Sequence, residues 1–159
     1  RVAMLGSFAK TLTPALALGY LIVPPALRDR VADLCLPTSG LVQDAVARYM
    51  EAGGLRRHTA RMRKEYRARR AAFIDLFPEG VPMEGGLHAV VPLRADADED
   101  RVVARCRARG LGVTGMADYW SARRPRTPGI VLGLGTGSLD RLRERLAVLR
   151  RTIEEGQGL

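Results

Sequence analysis

Cysteine and histidine are scarce in this chain of 159 residues, which contains two of each. Cys35 and Cys106 lie far apart, so the sequence shows neither a disulfide framework nor the close ligand spacing of a zinc site. So few cysteines suit a reducing compartment, and we expect both to be small buried hydrophobic residues. His58 and His88 have no partner at ligand spacing, and we expect surface or packing roles for them. We therefore predict no metal site.

Long apolar runs and a targeting pattern are also absent. No apolar stretch approaches the roughly 18 residues that span a membrane, and the first residues lack the basic, apolar and small-residue order of a signal peptide. We therefore expect a cytoplasmic protein without a membrane partner. The chain opens with arginine rather than methionine and enters an apolar segment almost at once, so we expect it to be the C-terminal part of a longer protein.

Lysine is almost missing, although the chain is strongly basic. Of its 26 basic residues only Lys10 and Lys64 are lysine, and the formal net charge is +9. Such a charge attracts polyanions without identifying a partner. A lysine, unlike an arginine, can form a Schiff base with an aldehyde. Lys10, which follows a short apolar segment, is therefore the first candidate site residue.

Hydrophobic periodicity and helix-breaking residues predict an α/β chain. Strands are predicted at 2–8, 19–23, 87–93, 111–115 and 130–134, and helices at 25–36, 41–52, 56–77, 98–109 and 139–155. The first two strands have the apolar pattern of buried strands, and we expect them to belong to a larger sheet outside this chain, so that their apolar faces stay uncovered here. Ser39 and Ser138 are predicted to cap helices, and Gly53 with Gly54 to end the second helix. A domain boundary is expected in or near the long helix.

The segment around Lys10 has a recognisable pattern. It reads Gly6-Ser7-Phe8-Ala9-Lys10-Thr11-Leu12-Thr13-Pro14-Ala15-Leu16-Ala17-Leu18-Gly19-Tyr20. This pattern resembles the cofactor-lysine segment of fold-type I pyridoxal-phosphate proteins, and most closely that of the aminotransferase-like domain of MocR/GabR-type bacterial transcription regulators. The resemblance covers nearly the whole chain, because weaker matches follow in the expected order at Arg61-Met62-Arg63, Tyr66, Arg69-Arg70, Gly86-Leu87-His88 and Val131-Leu132-Gly133-Leu134.

The resemblance implies a fold, a cofactor and roles for two residues. Residues 1–55 would be the C-terminal part of the large cofactor-binding domain, and residues 56–159 the small C-terminal α/β domain. Lys10 would form the Schiff base with pyridoxal phosphate and, in an enzyme, would also move the proton of transamination. Ser7 would bind the cofactor phosphate by a hydrogen bond. The parent protein would be a homodimer that senses an amino-acid or vitamer-like molecule and contacts DNA only through an N-terminal domain that this chain lacks.

Three residues depart from the family pattern. Ala9 replaces a serine, Ala17 replaces a phosphate-binding arginine, and Val131 stands where transaminases place the arginine that holds the substrate carboxylate. A lost arginine–phosphate pair removes about 1.5–3 kcal/mol, or ten- to a hundredfold in cofactor affinity. Because Val131 cannot pair with a substrate carboxylate, ordinary amino-acid transamination is disfavoured. The resemblance thus favours an effector-sensing domain, and a working aminotransferase is the first alternative.

A second alternative comes from the charge of residues 56–70, which include eight arginines and lysines. A basic helix of this kind is either a solvated face or a nucleic-acid contact. Tyr66 is the only aromatic residue in the stretch, so we favour a solvated face over a basic nucleic-acid-binding domain without cofactor. The glycine-containing segment 133–137 lacks the lysine of a phosphate-binding loop, so we interpret its glycines as turn residues.

Overall fold

The computed structural model of the chain describes residues 2–35, 38–84, 86–121 and 127–156. It combines helices with antiparallel sheets, which confirms the predicted α/β class. The chain forms two compact units, residues 1–62 and residues 63–159, and each is described by itself. The sequence also predicts a basic, proline-containing loop from Ser121 to Pro128, and most of that loop lies outside the described residues.

The first unit opens with a two-stranded antiparallel hairpin. Strands β1 (Met4–Ser7) and β2 (Gly19–Ile22) pair in a register that sets Met4 opposite Ile22 and Ser7 opposite Gly19. Their connection contains helix α1 (Phe8–Thr11) and a 3₁₀ turn at Pro14–Leu16. Helices α2 (Arg28–Ala32) and α3 (Gly40–Glu51) follow, and then α4 (Gly54–Leu76) begins.

The two strands that the apolar pattern indicates as buried are exposed in this chain, which confirms the expectation of uncovered apolar faces. Leu5 is 80% exposed and Ile22 is 55% exposed. The apolar pattern indicates that these side chains favour a core. Burial needs a second layer of structure packed on the strands, and two strands alone do not supply one. Cys35, expected to be buried, is exposed beyond the end of the short helix α2, whereas Cys106 is buried as expected.

Of the two consecutive glycines that were predicted to end the second helix, only one does so. Gly53 adopts φ +70°, the left-handed conformation that commonly ends a helix. Gly54 instead begins α4, and a Cβ at that position would overlap the ring of Tyr49. The predicted helix end therefore applies to Gly53 and is wrong for Gly54.

The second unit contains a four-stranded antiparallel sheet in the order β3-β4-β6-β5. The strands are β3 (Val81–Pro82), β4 (His88–Pro92), β5 (Val113–Gly115) and β6 (Gly129–Gly133), and two helices, α5 (Glu99–Ala108) and α6 (Leu139–Gly156), accompany them. In the central pair, Val90 lies opposite Val131 and Val91 opposite Ile130. Strand β3 was not predicted, because two residues are too few for a periodic signal.

The core of the second unit joins one face of the sheet to one side of each helix. Its fully buried members include Phe73 and Phe77 at the end of α4, Val91 and Ile130 in the sheet, and Leu146 in α6. Alternation along the strands directs the intervening residues to the opposite face. None of the helices in the described part of the chain combines the length and the apolar character that crossing a membrane requires.

Candidate functional site

Lys10 lies in the loop that connects β1 to β2. Ser7, the last residue of β1, caps α1, since its Oγ accepts a hydrogen bond from the Ala9 N–H at 3.2 Å. Lys10 follows in the last turn of α1 and is exposed. The Phe8 N–H donates to the Leu18 carbonyl at 2.9 Å and closes the base of the loop. The structure therefore holds the two predicted site residues, Ser7 and Lys10, on one short connection.

Two glycines allow the strands to meet at the base of this loop. A Cβ on Gly6 would overlap the ring of Tyr20, and a Cβ on Gly19 would lie 2.9 Å from the Gly6 carbonyl oxygen. The Tyr20 ring also packs on Phe8, with ring centroids 5.5 Å apart. Several residues of the Lys10 motif therefore shape the loop, whatever the loop binds.

Ala17 has an unusual backbone conformation where the 3₁₀ turn meets β2. Its φ of +46° and ψ of +32° are left-handed, and among the described residues it is the one non-glycine residue with positive φ. This conformation costs an L-amino acid about 1–2 kcal/mol. Such strain concentrates at functional sites, and the resemblance places a phosphate-binding arginine at this position.

His58 supports the loop from α4, a role that the sequence did not indicate. Its Nε2 donates to the carbonyl of Thr11, the residue after Lys10, at 2.9 Å. Its Nδ1 accepts from Arg61 at 3.3 Å. A neutral ring with its proton on Nε2 satisfies both contacts. The first contact spans 47 residues, and a single histidine in a helical pattern carries no signal that would identify it.

The chemistry of the loop fits a phosphorylated aldehyde in part. Lys10 offers an amine. The Ser7 Oγ accepts from Ala9, which leaves its hydroxyl proton available to a phosphate oxygen. Residues 2–27 contain no arginine. The segment can therefore supply covalent attachment and neutral hydrogen bonds, but it lacks the guanidinium that usually neutralises a phosphate.

The second unit has an apolar cavity of about 430 Å³ on the sheet face opposite its core. Val131 is only 8% exposed there and lies between Val90 of β4 and Thr114 of β5. Met116 and Tyr119 also line the cavity. The position that the resemblance assigns to a carboxylate-binding arginine is therefore an apolar packing position.

The remaining sequence features have structural explanations. Arg69 is buried and donates to backbone carbonyls, whereas Arg63 and Arg67 are exposed on the same helix. The second histidine, His88, is exposed beside the apolar cavity. The described ranges contain no group of three or more His, Cys, Asp or Glu residues that could hold a metal ion.

Comparison with known proteins identifies relatives of two kinds. No family model matches the chain. It is 37% identical, over 98% of its length, to the HTH-type pyridoxine biosynthesis transcriptional regulator PdxR of Corynebacterium glutamicum, and it covers 36% of that protein. It is 39% identical, over 48% of its length, to the probable rhizopine catabolism regulatory protein MocR of Rhizobium meliloti, and it covers 16% of that protein.

The fold matches that of solved aminotransferases. The kynurenine aminotransferase of Pyrococcus horikoshii, solved in complex with PMP, is 27% identical with a TM-score of 0.74; the match covers 98% of this chain and 41% of that one. The homologues of the chain are therefore MocR/PdxR-type regulators and aminotransferases, which confirms the family resemblance. The chain spans about two fifths or less of the length of each of these proteins.

Proposed function

We propose that this chain is the aminotransferase-like, effector-sensing part of a MocR/GabR-like transcription regulator, and that Lys10 holds pyridoxal phosphate. The observation that carries the proposal is the similarity to a regulator across 98% of the chain, together with Lys10 on the β1–β2 loop. Residues 1–55 would complete the large domain and residues 56–159 would form the small domain. The whole protein would be a homodimer, and DNA would be bound by a domain outside this chain.

The residues of the loop would have separate roles. Pyridoxal phosphate, when bound, supplies an aldehyde and an electron-withdrawing ring. Lys10 would hold the cofactor through its amine. Ser7 would donate to a phosphate oxygen, while its Oγ accepts from the Ala9 N–H. His58 acts through Thr11: by holding that carbonyl, it positions the helical turn that carries Lys10.

The apolar environment of Val131 supports sensing over turnover. Turnover of an amino acid needs its carboxylate held by a cation in one fixed orientation, and the almost buried, uncharged side chain of Val131 cannot supply that contact. A sensor needs its ligand to shift a conformational equilibrium but does not need to stabilise a transition state. We propose an amino-acid or vitamer-like effector with an apolar surface.

Reductive labelling tests the cofactor role of Lys10. The chain is incubated with pyridoxal phosphate, reduced with borohydride, digested and mapped by mass spectrometry. Because Lys10 and Lys64 are the only lysines, the adduct can be assigned without ambiguity. We expect a saturable adduct on Lys10, which Lys10→Arg removes and the matched variant Lys64→Arg retains. Equal labelling of both lysines, or labelling that never saturates, would contradict the proposal.

A second measurement separates sensing from catalysis. L-Phenylalanine as amino donor and 2-oxoglutarate as amino acceptor are added to the longest protein that contains this chain, loaded with pyridoxal phosphate and not reduced, and the cofactor absorbance and the keto-acid product phenylpyruvate are followed. We expect binding-induced spectral change without multiple turnover. Sustained keto-acid production would favour the aminotransferase alternative, as would an upstream sequence without a winged helix.

A further inference from the structure

A second cavity of the 63–159 unit, about 270 Å³ in volume, lies between the edge strand β5 and helix α6. It is distinct from the apolar cavity at Val131, because it opens on the core side of the sheet. Its apolar walls are side chains that the core already fixes, each at most 7% exposed: Leu111, Val113, Leu132, Leu142 and Leu146. The walls of this cavity are therefore preformed.

The mouth of the cavity is cationic. Arg145 lines it, and an adjoining cavity of about 180 Å³ shares Arg145 and Thr136 and adds Arg141. Arg141 and Arg145 are four residues apart on α6 and therefore project from the same helix face. No aspartate or glutamate is among the described residues that line either cavity. We call the two connected cavities the β5–α6 cleft.

Two arginines of α6 are held in ion pairs, whereas the two at the cleft and Arg151 form none among the described residues. Arg143 and Arg150 pair with acidic neighbours at 3.1 Å and at 2.6–2.7 Å. Arg141 and Arg145 form no ion pair with any carboxylate within the described ranges. A guanidinium matches a carboxylate in shape and charge, so this position has the charge to bind an anion that the described residues do not supply.

The loop that borders the cleft is held from behind. Arg69 is 5% exposed and donates to the carbonyls of Leu134, Thr136 and Gly137 at 2.5–3.3 Å. These contacts fix the backbone at Thr136, which both cavities share. The cleft therefore has buried apolar walls and a hydrogen-bonded polar edge, and the exposed side chains of Arg141 and Arg145 lie at its cationic mouth.

We propose that the β5–α6 cleft binds a small amphiphilic monocarboxylate. Its apolar body would lie against the leucine and valine walls, and its carboxylate would contact Arg145 and Arg141. A volume near 270 Å³ is just below the usual range of ligand pockets, about 300–1,000 Å³. This size suits a phenyl ring with a short linker rather than a large cofactor. The site is independent of Lys10 and of the proposed cofactor.

The test is a titration of the full chain with 4-phenylbutyrate, followed by amide chemical shifts, with neutral 4-phenylbutyramide as the comparison probe. We expect saturable binding of the carboxylate, with shifts centred on β5 and α6. Arg145→Gln should raise the Kd for 4-phenylbutyrate roughly threefold to tenfold. This loss lies between that expected for an exposed ion pair and that for a buried charge-assisted hydrogen bond. Arg151→Gln, the matched control, alters an exposed α6 arginine that lines neither cavity and should leave binding unchanged.

A second variant separates binding from folding. Val113→Phe fills the cleft and should abolish binding of both probes while the variant retains a cooperative melt. Lys10→Arg should leave 4-phenylbutyrate binding intact, so a failure of the cofactor proposal does not affect this test. The proposal is overturned if the amide binds as tightly as the carboxylate, if Arg145→Gln has no more effect than Arg151→Gln, or if no saturation is reached by about 10 mM.

Discussion

Replacing Arg69 by methionine should cost the second unit about 3 kcal/mol of unfolding free energy. The side chain is almost fully buried, donates to three backbone carbonyls and pairs with Glu65 at 2.9 Å. Methionine keeps the apolar stem but leaves those carbonyls without their donor. A charge-assisted bond contributes about 1.5–3 kcal/mol, and breaking a buried ion pair costs about 3–5 kcal/mol. We take the lower end, because Glu65 is 42% exposed.

Urea unfolding followed by far-ultraviolet circular dichroism measures this loss. With a slope of about 1–3 kcal/mol per molar urea, the midpoint should fall by roughly 1–3 M. Arg67→Met is the matched control, since Arg67 is exposed on the same helix and its loss should change stability by at most about 0.5 kcal/mol. If the two variants unfold at the same urea concentration, the carbonyl contacts of Arg69 are not stabilising.

Two further outcomes follow from local geometry. Ala17→Gly should raise the unfolding free energy of the hairpin by up to about 1 kcal/mol, because glycine adopts φ +46° without strain; Ala15→Gly, in the adjoining 3₁₀ turn, should lower it, and equal effects would argue against strain at Ala17. In Ellman titration, Cys35 should react rapidly and Cys106 only on unfolding, because burial excludes the reagent and raises the pKa of the Cys106 thiol. Equal reaction rates for the two thiols would refute that assignment.

The sequence predicted the second unit well, because its periodic patterns coincide with a complete core. The spacing of the last helix predicts a buried face of four leucines. Leu142, Leu146 and Leu149 are buried, and the fourth, Leu139, is partly buried. The first unit was predicted less well. Its two strands were located, but periodicity cannot reveal whether a covering layer exists, and Leu5 is mostly exposed. Gly54 was predicted to end α3 but begins α4, because a glycine in the sequence does not by itself distinguish a helix end from a helix start.

For the candidate site, the motif indicated Ser7 and Lys10, and the structure holds both on one loop. It could not indicate His58, whose contact with the loop joins residues 47 positions apart. Nor could it indicate that Arg141 and Arg145 border a cleft, because helical spacing fixes which residues share a face but not what lies opposite that face. Contacts between segments that are distant in the sequence can be identified only once the fold is known.

The residues that this chain retains from the family motif differ in kind from those it has lost. Gly6, Gly19 and Tyr20 set the approach of β1 to β2, and a side chain at either glycine would overlap a neighbour. At Ala17 and Val131 the resemblance instead implies arginines, for a phosphate and for a carboxylate, so these departures would remove positive charge. Ala17 has a strained left-handed backbone, although alanine gains nothing from it. Under the proposed sensing role, the loss of these charges would be tolerated, because a sensor does not need to stabilise a transition state.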